Sequence, residues 1–199
     1  QATDAVLATL RANGHRDAYI RPLAWFGEGS FGLDVEGHVP HMMVASTATH
    51  VHLNGTRARL GVSRWRRNPA DSLPPLKLCG SYVNSILAKR EAKRAGYDEA
   101  ILMDHNGNVC EGSGENLFIV KRGELVTPPL NASILAGITR DTVITLAKEE
   151  GLTVRETMIT RDQLYLADEA FFTGTAVEVT PIREVDDRAI GTGKPGEIT

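Results

Sequence analysis

The chain has 199 residues, 42% of them hydrophobic and 24% charged, with a net charge of −3. That length buries a sizeable core in one domain or two, while the mildly acidic balance and the lack of any run of like charge argue against nucleic acid as a partner. No apolar stretch approaches the length of a membrane-spanning helix, and two cysteines do not make a disulfide framework, so a reducing cytoplasm is the expected setting.

Residues 3–12 carry apolar side chains at helical spacing (Val6, Leu7, Leu10), and Asn13-Gly14 supplies the usual left-handed stop. Residues 18–23 alternate like a strand, which places Tyr19 and Arg21 on one face. Trp25 to Gly32 is a glycine-rich, aromatic loop without the spacing of a phosphate-binding fingerprint. A strand follows over 42–49. His50 and His52 share a strand face but have no acidic or cysteine partner at ligand spacing, so a metal site is not expected. Arg57, Arg59, Arg64, Arg66 and Arg67 surround Trp65 and read as a solvated strand face, and residues 68–75 have the composition of a linker.

Residues 81–95 follow helical spacing and stop at Gly96. A strand over 99–103, a turn at Asn106-Gly107, a returning strand with Cys110 and Glu111, and strands over 117–121 and 124–127 predict an antiparallel meander with Glu111 inside. Residues 140–150 read as a helix with Thr139 as its N-cap; the free amides at such a start suit a phosphate. Strands over 154–159, 169–173 and 179–185 and a short helix over 161–167 complete the pattern. The turn Gly174-Thr175-Ala176 can offer consecutive amides to an anion, although a glycine turn ending a core strand is common by itself. Cys79 and Cys110 read as small buried packing groups.

Two residues suggest chemistry. Lys77 lies between Leu76, Leu78 and Cys79, and an amine desolvated by apolar neighbours is suited to form Schiff bases. Glu111, held where a Gly-Ser-Gly turn interrupts a strand, can face a buried cation such as a protonated pyridine nitrogen. Either feature alone has an ordinary explanation, a solvated lysine or a plain turn.

Four motifs in order, Lys77-x-x-Gly80-x-Tyr82, Glu111-Gly112-Ser113-Gly114-Glu115-Asn116-Leu117-Phe118, Leu135-Ala136-Gly137-Ile138-Thr139-Arg140 and Gly174-Thr175-Ala176-Val177-Glu178, resemble the class IV aminotransferases. These are pyridoxal-phosphate enzymes of fold type IV, and within them the chain is most similar to branched-chain amino acid aminotransferases. The resemblance implies a mixed α/β fold: a small, partial N-terminal α/β domain over residues 1–62, a linker over 63–72, and a larger β-barrel-like domain with surrounding helices over 73–199. It implies that Lys77 holds pyridoxal 5'-phosphate as an aldimine and carries the substrate proton, that Tyr82 bonds the cofactor's phenolate, and that Glu111 pairs with its ring nitrogen, with Glu115 and Asn116 as supports. By the same resemblance the amides of Ile138 and Thr139, together with Thr175, bind the cofactor phosphate. The amides of Thr175 and Ala176 take the substrate carboxylate, Tyr19 touches the α-carboxylate, and Arg21 the distal carboxylate of glutamate.

The implied reaction moves an amino group between leucine, isoleucine or valine and 2-oxoglutarate in a homodimer. D-amino-acid aminotransferase, (R)-amine transaminase and aminodeoxychorismate lyase share the fold and stay as alternatives, as does a non-catalytic fragment. The chain opens directly in a helical pattern and ends at Gly196-Glu197-Ile198-Thr199. An N-terminal portion carrying a phosphate-binding arginine, and a C-terminal helix, are therefore expected to be missing.

Overall fold

A computed structural model describes residues 2–48, 58–69, 71–74 and 76–199. His50, His52 and Arg57 lie outside the described residues. The chain forms two compact units, Gln1–Val51 and His52–Thr199.

In the first unit, helix α1 (Ala2–Asn13) precedes an antiparallel ribbon of β1 (Ala18–Phe26) and β2 (Pro40–Ala48). Gly14 takes φ +67°, the left-handed value expected at the helix stop. Asn13 and His15 both hydrogen-bond the Ser46 hydroxyl, at 2.9 and 3.0 Å, which ties the end of α1 to the ribbon. Strand alternation does put Tyr19 and Arg21 together: Arg21 Nη2 donates to the Tyr19 hydroxyl at 2.7 Å.

Among the described residues, the second unit has ten strands: β3 (Ala58–Arg66), β4 (Glu99–Met103), β5 (Asn108–Gly112), β6 (Asn116–Lys121), β7 (Glu124–Thr127), β8 (Val154–Glu156), β9 (Ile159–Thr160), β10 (Glu169–Gly174), β11 (Glu178–Val185) and β12 (Arg188–Ala189). Six of them, in the order β6-β10-β11-β3-β4-β5, close into a barrel when β5 pairs back onto β6. The residue pair that closes it is Glu111 opposite Asn116. Closure leaves no free edge within the ring, and its interior fills with fully buried side chains such as Leu60, Ile101, Leu117 and Phe172. Each such side chain contributes about 1.5–3 kcal/mol of burial.

Three helices cover the barrel. Helix α2 (Tyr82–Arg94), entered through a 3-10 turn over Cys79–Ser81, packs Ala88 and Ala92 on Ala100 and Leu102. Helix α3 (Ile138–Glu149) sets Ile144 and Ala147 against Phe118 and Phe171, whose rings stack at 5.1 Å. Helix α4 (Arg161–Tyr165) begins with a capping box of Thr160 and Gln163. None of the described helices is long and apolar enough to cross a membrane.

Several elements depart from the sequence reading. Strand β3, assigned above to the small domain and the start of the linker, pairs in parallel with β4 and β11 in the barrel wall, with Ala58, Leu60, Gly61 and Ser63 buried. The expected strand over 154–159 is two strands: β8 pairs in parallel with β7 while β9 joins β5, at opposite ends of the sheet. Helix α3 starts two residues earlier than expected. Gly137, extended at φ −74° and ψ 134°, is its N-cap, because the Gly137 carbonyl already accepts the Asp141 amide at 3.0 Å. Thr139 is consequently the second helical residue and caps nothing.

Candidate active site

Glu111 is the centre of a buried polar group in the second unit. The β5–β6 seam places its carboxylate on the face of the wall shared by Leu102 and Asn116, opposite the core of Ile101 and Leu117, and only 4% of the residue is exposed. Its Oε1 accepts from Arg67 Nη2 at 2.5 Å, and its Oε2 accepts from Asn116 Nδ2 at 2.9 Å and from the Leu135 amide at 3.1 Å. Burial pushes its pKa up to about 7, against the lowering by the Arg67 guanidinium and the Leu135 amide. A carboxylate offers about four lone-pair positions, and three are taken. One position on Oε1 is left.

Around this carboxylate lies a small cleft lined by Arg67, Tyr82, Glu111, Gly114, Asn116 and Leu135, among others. Tyr82 begins α2, so the 3-10 turn that precedes the helix aims the start of α2 at the cleft. Asn116 also donates to the Leu135 carbonyl at 2.9 Å, linking the seam to the segment before α3. Gly137 lies so close to this amide that an added Cβ would sit 2.1 Å from Asn116 Oδ1. The glycine is required by that approach, and it brings the start of α3 beside the Glu111 cluster. There, Ile138 and Thr139 are the first two helical residues, whose amides have no intrahelical acceptor.

Gly174 lies next to Gly114 of this lining: a Cβ on it would be 3.8 Å from the Gly114 carbonyl. It ends β10 in register with Glu178, and the turn itself runs over Thr175, Ala176 and Val177. Thr175 is exposed and Ala176 half-buried. The positive φ of this turn falls on Glu178, at 51°, and not on the glycine. Glu115, just before β6, accepts the Gly114 amide at 3.0 Å, and burial together with nearby Glu99 raises its pKa.

Lys77 has different surroundings from those expected. It is exposed, and its neighbours Leu76 and Leu78 are 59% and 43% exposed. The Leu78 amide bonds the Leu76 carbonyl at 2.8 Å, so Lys77 is the central residue of a three-residue turn that presents its side chain outward. Cys79 is likewise exposed; only Cys110 is the buried packing group expected, with its thiol pushed up to about 12 by burial. The apolar neighbours in sequence do not enclose the amine. Lys77 still stands near the cleft in chain terms, between Leu76, which lines an adjoining cleft with Arg67 and Leu135, and Tyr82, which lines the Glu111 cleft.

Sequence reading misses Arg67. It groups this residue with Arg57, Arg59, Arg64 and Arg66 as a solvated face, yet the Arg67 side chain is 14% exposed and reaches Glu111. The available signal is Glu111 itself, because a carboxylate expected in the interior demands a cation close by. Tyr19 and Arg21 belong to the first unit.

The residues fit pyridoxal phosphate on three counts: a buried carboxylate with one open acceptor position, a tyrosine on the same cleft, and unbonded helix-start amides beside it. Comparison with known proteins agrees. Residues 1–185 match the family model for amino-transferase class IV. The branched-chain-amino-acid aminotransferase of Pseudomonas aeruginosa is 44% identical over all of this chain and 66% of its own length; a probable one from Aquifex aeolicus is 48% identical over 92% and 60%. Among solved structures, the branched-chain aminotransferase of Thermoproteus uzoniensis with norvaline superposes with a TM-score of 0.94 at 46% identity, covering 99% of this chain and 66% of that one. The branched-chain amino acid aminotransferase of Thermobaculum terrenum in its PLP-form gives 0.90 at 40% identity, with coverage of 98% and 65%. The chain thus spans about two thirds of the length of these relatives. With a barrel closed at Glu111, the expected fold type and a match over nearly the whole sequence, the chain belongs to the class IV aminotransferases.

Proposed function

We propose that this chain is the cofactor-binding portion of a pyridoxal 5'-phosphate-dependent branched-chain amino acid aminotransferase, exchanging an amino group between leucine, isoleucine or valine and 2-oxoglutarate. The observation that carries the reading is the Glu111 carboxylate, buried at the barrel seam with one acceptor position open on Oε1. The substrate class rests on the relatives that carry that name at 43–48% identity.

Pyridoxal phosphate, when bound, supplies the electron sink that lets an α-proton leave. The protein does the rest. Lys77 is the residue that would hold the cofactor covalently, and its Nζ, once freed by an amino substrate, would carry the α-proton as general base and then general acid. Its exposure gives an amino substrate access to that amine. Glu111 would accept a ring N–H at Oε1, and a cationic donor there would replace the solvation that burial removes from the carboxylate. Tyr82, on the cleft wall, would donate to the ring oxygen. The amides of Ile138 and Thr139, at the positive end of α3, and Thr175 would hold the phosphate. The amides of Thr175 and Ala176 would take the substrate carboxylate; on the resemblance alone, Tyr19 and Arg21 of the first unit are assigned to the α-carboxylate and to the distal carboxylate of glutamate. A homodimer in the cytoplasm belongs to the same proposal, on the same resemblance.

Titration of the purified full-length protein with pyridoxal phosphate tests it. A visible absorbance band that bleaches on L-leucine, with 2-oxo acid formed, is the expected result. Bleaching by D-alanine instead would move the assignment to a D-specific relative, and no band would end the cofactor reading.

A further inference from the structure

We propose that Arg67 is the positioning residue of this site: its guanidinium holds the Glu111 carboxylate as an acceptor and reserves one Oε1 lone pair for a cationic ring nitrogen. The inference rests on the cofactor reading above and adds a residue to it.

Arg67 follows the last residue of β3 and is pinned by its own amide, which bonds the Met103 carbonyl at 2.9 Å. Three of its donors go to three different elements. Nη2 reaches Glu111 of β5, Nη1 the Ser85 hydroxyl of α2 at 3.2 Å, and Nε the Ser133 carbonyl at 3.3 Å. A planar fork fixed at three points cannot swing away, and a lysine could not satisfy all three. The acceptor at Ser133 is itself held out by a left-handed backbone, at φ +59°.

The two oxygens of Glu111 then have separate duties. Oε2 accepts two fixed donors, Asn116 Nδ2 and the Leu135 amide, so a proton on this carboxyl can sit only on Oε1. Oε1 is the oxygen beside Arg67, whose charge opposes that proton. Of the other charged groups around Glu111, Arg140 of α3 acts in the same sense and Glu115 before β6 acts against it. Without Arg67, burial would place a proton on Oε1 and turn the acceptor into a donor. The carboxyl would then face a neutral ring nitrogen, and the ring would be a poorer electron sink.

Two measurements on Arg67→Met, Arg67→Lys and the parent full-length protein test this. With the cofactor removed, carbon NMR of labelled glutamate, assigned through Glu111→Gln, should show the Glu111 midpoint higher in Arg67→Met than in the parent and intermediate in Arg67→Lys. An unchanged midpoint would overturn the proposal. Next, affinity is compared for pyridoxal phosphate and a deaza analogue in which CH replaces the ring nitrogen. The parent should prefer pyridoxal phosphate by about tenfold or more, the order of a charge-assisted hydrogen bond, and Arg67→Met should lose most of that preference. Equal preference in parent and variant would also overturn it, since a purely structural role weakens both ligands alike. Should Arg67→Met not fold, Arg67→Lys carries both measurements, with a partial shift expected and none refuting. A parent that binds neither ligand would instead refute the cofactor reading, whatever the NMR midpoint shows.

Discussion

Glu111 and Lys77, the two residues the proposed chemistry needs most, sit in opposite kinds of environment within one unit. Glu111 is enclosed by the barrel seam and held by three donors; Lys77 tops a three-residue turn with exposed leucines on both sides. The contrast follows from their tasks. A carboxylate that must stay aimed at one ring atom gains from burial, provided that a cation and hydrogen bonds offset its desolvation. An amine that must release the cofactor to substrate and recapture a proton needs access. The proposed site would therefore have one end that is part of the fold and one that is not, and substitutions should separate chemistry from stability accordingly.

The largest expected effect is on activity at the open end. Lys77→Ala should lower transamination by about a thousandfold or more, the scale of a lost nucleophile and proton carrier. Because Lys77 is exposed, stability should change by less than about 0.5 kcal/mol. Denaturant unfolding alongside a single-turnover assay checks both. A strongly destabilised Lys77→Ala would break the contrast.

At the closed end, Glu111→Ala should reverse the pattern. It leaves the Arg67 guanidinium buried without its anion, at a cost of about 3–5 kcal/mol, while the visible cofactor band forms but turnover slows. An unaltered unfolding midpoint would show that the seam does not depend on this ion pair.

Much of this contrast cannot be read from sequence. The four motifs locate Glu111 in a meander, the glycine-lined start of α3 and the turn after β10, since those follow from local spacing and turn chemistry. Lys77 reads as desolvated because Leu76 and Leu78 flank it, but flanking residues tell nothing of what the third dimension stacks on them. Arg67 is lost for the same reason. Its role depends on β3 lying in parallel beside β4, a pairing between residues 60 and 99 that no local pattern signals. Gly137 reads as the residue before a cap, whereas its contact with Asn116 and its extended backbone make it the cap.

A pH experiment sharpens the comparison further. The folded-state value of Glu111 lies above its unfolded value of 4.5, at about 7, so folding takes up a proton in between. Its contribution to stability is full below about pH 4.5 and fades as pH rises through 7; at about 1.4 kcal/mol per unit this is on the order of 3 kcal/mol. The stability of the parent minus that of Glu111→Gln should fall across this window. Asp186 should behave oppositely. Burial alone would raise its pKa, but hydrogen bonds from Tyr165, the Val62 amide and Arg161 outweigh it and lower the value below 3.8. Its contribution is present above that pH and lost in acid, so parent minus Asp186→Asn should rise with pH. Equal slopes for the two differences would contradict the burial argument.

The smallest effects come from adding a single methyl at each end. At Gly137 a Cβ would stand 2.1 Å from Asn116 Oδ1, so Gly137→Ala must push the amide off Glu111 and the Leu135 carbonyl. Overpacking of this kind costs about 1–3 kcal/mol, or about 2–4 °C in Tm per kcal/mol for a chain of this size. At Gly80, three residues after Lys77, nothing lies within 4 Å of an added Cβ and the backbone is not left-handed. Gly80→Ala should therefore hold or slightly raise stability, by about 0.4–1 kcal/mol, because it narrows the unfolded ensemble without a clash. Opposite signs for these two alanines would show that the carboxylate end is packed to contact while the lysine end stays open, and matching losses would mean that Lys77 is enclosed by more than its own turn.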